Sequence, residues 1–141
     1  RAGADVTRQL LCRGQLGQLR RGDGGSPFEV GIAINYPGSS IENDFRWAPM
    51  HPMVEAYKSY QQMPYDRPTW DLTSVLYSVE GPSYFNVSPA GKINVTDQGA
   101  TEFTPDAAGN RYYLTVDSIQ AENIKQHFVQ LLTKQPAHFN K

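Results

Sequence analysis

The sequence predicts a mixed fold, α/β or α+β, with a small antiparallel β meander and a C-terminal helix. Helical spacing of apolar residues recurs in three stretches, around Met53, Leu72 and Ile124. Between the last two lie four short runs rich in β-branched and aromatic residues, separated by turn-forming tripeptides. The chain has 141 residues and 39% hydrophobic content, which suits one core rather than two.

The first 26 residues stand apart from the rest. Residues 1–25 carry five arginines against two aspartates, half of the twelve glycines, and no aromatic side chain. Val6, Leu10, Leu11, Leu16 and Leu19 hint at a helical stripe, but Gly14 and Gly17 interrupt it at about 1 kcal/mol each relative to Ala. Segment 1–26 therefore reads as an atypical Arg/Gly-rich leader, loose or non-native, with a basic arm for phosphate as the sharper reading. Residues 27–136 read as the folded part and 137–141 as a tail.

Within that part, Phe28–Ile34 reads as a strand ended by Asn35-Tyr36-Pro37-Gly38. After a loop with Trp47 and Pro49, His51-Pro52 opens a helix bearing Met53, Tyr57 and Tyr60 on one stripe, and Met63-Pro64 closes it. Leu72, Val75, Leu76 and Val79 have the spacing of a short buried helix, stopped by Gly81-Pro82. Strands are expected at 84–87, 92–96, 101–104 and 111–116. A last helix spans about Ser118 to Lys134, capped by Asp117 or Ser118 and burying Ile119, Ile124, Phe128 and Leu131 or Leu132.

Composition excludes several functions. One cysteine forms no intrachain disulfide and no Cys-based zinc cage. A formal charge of −1 argues against a dedicated nucleic-acid partner. No apolar run approaches the roughly 20 residues of a spanning helix, and no signal-peptide pattern is visible, so no membrane partner is expected.

The densest functional stretch is Tyr65-Asp66-Arg67-Pro68-Thr69-Trp70-Asp71, which two prolines constrain and which leads into a helix start. It offers two carboxylates, a guanidinium and two aromatic rings to a metal or a sugar. The plainer reading makes Asp71 a helix N-cap and Asp66–Arg67 an exposed ion pair. His51 fits a helix start, and His127 and His138 fit the surface of the last helix and the tail. Trp47, Trp70 and Tyr84 suit either stacking or core packing. Asn86-Val87-Ser88 and Asn94-Val95-Thr96 are glycosylation sequons, meaningful only in a glycosylating pathway. Cys12 has no evident base, so no nucleophilic role is assigned to it.

Residues 27–134 resemble the C-terminal portion of nucleoside hydrolase-like proteins, the inosine–uridine-preferring nucleoside hydrolase family. The likeness runs through Phe28-Glu29-Val30-Gly31, Ser40-Ile41-Glu42-Asn43-Asp44-Phe45, His51-Pro52-Met53-Val54-Glu55-Ala56-Tyr57 and the stretch Met63–Tyr77. It is most similar to a divergent bacterial branch and covers about the last third of a full family member.

The resemblance implies an α/β parent that hydrolyses the N-glycosidic bond of ribonucleosides with calcium, its partner a nucleoside or another ribosyl compound. It makes Asp71 one calcium ligand, the late aspartate at a helix start. It puts Trp70 where many members carry a histidine that protonates the departing base. Indole is no acid near neutral pH, so Trp70 is expected at most to stack on substrate. The catalytic residues are unassigned, because the family's N-terminal aspartate cluster has no counterpart here. The chain alone is expected to be inactive. The alternatives are a non-catalytic module that binds a ligand or partner, and a self-associating structural subunit forming a homo-oligomer through an open sheet edge.

Overall fold

Turn signals and apolar spacing between them place seven of the fourteen elements seen in the computed structural model, which describes residues 9–12, 15–18, 30–48, 50–99 and 101–137. Among the described residues the molecule is mixed α+β: five helices, a six-strand antiparallel sheet and a two-strand sheet, ending in a C-terminal helix. Within the leader, strands β1 (Gln9–Cys12) and β2 (Gln15–Gln18) pair with each other, where the leucine spacing hints at a helix.

The segment expected as a strand over Phe28–Ile34 is instead a short helix, α1 (Val30–Ala33), while Phe28 and Glu29 lie outside the described residues. The reason is burial on successive residues. Val30 and Gly31 are both buried, which a one-turn helix wedged in the core allows and an alternating strand does not. Only Asn35–Tyr36 is extended (β3), and it pairs antiparallel with β4 (Arg67–Pro68). A further helix, α2 (Gly38–Asn43), occupies what reads as turn and loop; Pro49 lies outside the described residues.

Helix α3 (Pro52–Tyr60) begins where His51-Pro52 predicts, with the imidazole Nδ1 accepting from the Met53 N–H at 3.3 Å. Tyr57 on its stripe is buried and Tyr60 is exposed. Helix α4 (Leu72–Glu80) stops at Gly81, whose φ of +75° is left-handed backbone that favours glycine. Its inward side differs from the expected one. Thr73, Ser74 and Leu76 are buried, whereas Val75 and Val79 are 54% and 77% exposed. The Thr73 hydroxyl donates to the Trp70 carbonyl at 2.9 Å, which fixes the rotation of the helix as it starts.

A 3₁₀ turn (Gly81–Tyr84) then leads into the other four strands of the large sheet: β5 (Asn86–Val87), β6 (Gly91–Val95), β7 (Thr101–Pro105) and β8 (Arg111–Thr115). Strand β8 is central. It pairs with β5 and β6 along one edge and with β1 along the other, while β7 lies outside β6, so the strands do not form the expected meander, in which β8 would lie beside β7. Alternation on β8 sends Leu114 to the core and Tyr113 to the opposite face, where it meets Phe103 edge-on at 4.8 Å.

Helix α5 (Ser118–Leu132) starts with a capping box: Asp117 accepts from the Gln120 N–H at 2.8 Å, and Gln120 accepts from the Asp117 N–H at 3.0 Å. Ile124 and Phe128 are its buried residues, with Ala121 and Leu132 beside them. Ile119, expected inside, is 71% exposed because it falls on nearly the opposite side of the helix from that row. Leu131, in the last turn, is also exposed. One core joins Val30, Ile34, Ile41 and Phe45 to Leu76, Phe85, Leu114, Ile124 and Phe128.

Candidate functional site

Each residue of the Tyr65–Asp71 stretch has its own attachment. The Tyr65 ring stacks on Tyr57 at 5.1 Å, and its hydroxyl donates to the Tyr57 carbonyl at 2.9 Å. Asp66 Oδ1 accepts from the Gly38 N–H at 3.0 Å, at the start of α2. The Arg67 guanidinium lies 4.2 Å from the centre of the Tyr60 ring. The expected Asp66–Arg67 ion pair is thus replaced by two separate contacts that fasten the loop to α2 and α3.

Thr69 and Trp70 are fastened to Gly31. The Thr69 N–H donates to the carbonyls of Gly31 (2.9 Å) and Ile34 (3.0 Å), the Thr69 hydroxyl to Gly31 (3.3 Å), and the Trp70 N–H to Gly31 (3.4 Å). A Cβ on Gly31 would stand 2.2 Å from the Trp70 carbonyl oxygen. That closeness is the reason for glycine, and the sequence shows it only as one glycine in an apolar run.

Above this lock the chain turns sharply. Trp70 has φ +45°, a left-handed conformation that costs a residue with a Cβ about 1–2 kcal/mol. Its side chain is 44% exposed and lies outside the core cluster. Asp71 follows, exposed, with helical backbone angles and no capping hydrogen bond from its carboxylate. Its main-chain carbonyl accepts from Ser74 (2.9 Å) and Val75 (3.1 Å), so the backbone starts the helix while the acid group stays outside it. Trp70 and Asp71 therefore stand next to each other at the surface, the indole outside the core cluster and the carboxylate outside the helix cap.

The other aromatic and histidine candidates do structural work. Trp47 Nε1 donates to the Thr133 carbonyl at 3.2 Å. His51 sits between Phe45 and Trp47 at 4.6 and 5.6 Å. His127 Nε2 meets Glu80 Oε1 at 2.8 Å, and its ring stacks on Tyr84 at 4.9 Å. Burial, with Glu80 adding to it, pushes the Tyr84 hydroxyl above its ordinary value. His138 and the Cys12 side chain lie outside the described residues. Asn86 exchanges two hydrogen bonds with Gln120, whereas Asn94 is exposed.

An open groove of about 430 Å³ runs between Ala33–Pro37 and α5, with Asp66, Ser118, Glu122 and Lys125 among its lining residues. Two of its carboxylates already have partners. Asp66 holds Gly38, while Glu122 pairs with Lys125 and accepts from Gln126, contacts that keep the Glu122 carboxyl below its usual range.

Calcium needs six to eight oxygens. Among the described residues no group of three His, Cys, Asp or Glu side chains could hold a metal ion. Asp71 alone does not fit calcium, so the described residues complete no such site. No helix among them is long and apolar enough to cross a membrane. Comparison with protein-family models, curated proteins and solved structures found no match to this chain.

Proposed function

We propose that this chain is the C-terminal portion of a nucleoside hydrolase-like protein whose parent hydrolyses the N-glycosidic bond of ribonucleosides with calcium, and that the chain alone does not turn over nucleosides. The reading rests on the resemblance through Met63–Tyr77. One structural observation carries it further: the Asp71 carboxylate stands exposed at a helix start without capping it, beside an exposed indole on left-handed backbone. Non-glycine residues held in that region cluster at ligand sites. Here Asp71 would offer one oxygen ligand to a metal that other carboxylates of the parent hold, and Trp70 a stacking face for sugar or base. No step of the hydrolysis is assigned to residues of this chain.

The test is ribose release from a nucleoside panel, with calcium and with chelator. The folded chain should release none in either condition. Co-purified with the N-terminal part of a family member carrying the aspartate cluster, it should give calcium-dependent release that Asp71→Asn removes. A folded, co-purifying pair without that activity would sink the reading. Chelator-sensitive release by the chain alone would overturn its inactivity.

A second reading, a self-associating structural subunit, draws on the exposed Val75 and Val79 of α4. It predicts a melting temperature that rises with protein concentration and ignores calcium.

A further inference from the structure

We draw no further inference here: the strongest candidate, the exposed Val75 and Val79 along the outer side of the helix Leu72–Glu80, is an uncovered apolar face, and nothing in the structure shows what covers it.

Discussion

Single residues separate what holds the fold from what the fold holds out. Trp70 holds φ +45° although its side chain lies outside the core cluster, so the cost of that backbone is not offset by core packing. Asparagine enters left-handed backbone more readily, and Trp70→Asn should leave the unfolding free energy from urea titration unchanged or raise it, by up to about 1 kcal/mol. A loss above about 1 kcal/mol would show that the indole supports the fold after all. Gly31 is the opposite case. Gly31→Ala pushes a methyl group into the Trp70 backbone and should cost at least the roughly 1–3 kcal/mol typical of an overpacked core. Unchanged thermal unfolding of that variant would refute the lock. The sequence marks Trp70 and Asp71 as chemically suggestive but cannot show the lock, since Gly31 and Trp70 are 39 positions apart and meet only in the folded chain.

Elements were legible in proportion to their length and punctuation. The last helix follows from its apolar row and a cap at Asp117 or Ser118, and strands β6 to β8 follow from the turn-forming tripeptides at 97–99 and 108–110, although their order in the sheet does not. The strand expected at 28–34 failed because a short apolar run does not distinguish an alternating strand from a buried turn of helix. In α4 the spacing gave the helix but not its inward side, which Thr73 and its bond to Trp70 decide. This sheet also carries a pH signature. Lys92 binds Asp106, and the Ala108 N–H donates to the same carboxylate, so Asp106 lies below its ordinary value. A depressed folded value contributes stability above the ordinary carboxylate range and loses it as pH falls through the folded value. The gap in urea midpoint between wild type and Asp106→Asn should therefore be present near pH 7 and narrow below about pH 4. A gap that stays constant with pH would exclude this pair as the cause.

At the scale of the molecule, α5 is the common support, since its Ile124 and Phe128 share one core with Leu114 of the sheet and with Val30, Ile34 and Leu76 of the helical side. Both ends of α4 are tied down: Thr69 and Trp70 bind Gly31 before its start, and Glu80 binds His127 at its end. Truncating Phe128 to Ala should cost about 3–5 kcal/mol and loosen both halves together, seen as one cooperative thermal transition at lower temperature. Two separate transitions would mean that the halves fold independently. The contact between Trp47 and Thr133 has an optical consequence. The two tryptophans in this chain occupy unlike surroundings, one hydrogen-bonded between a loop and the last helix, the other open to water at a turn. An aqueous iodide quencher should extinguish the Trp70 emission first and leave a blue-shifted remainder from Trp47. The protein thus carries its own pair of dyes, one reporting on how the last helix is seated and the other on anything that settles beside Asp71.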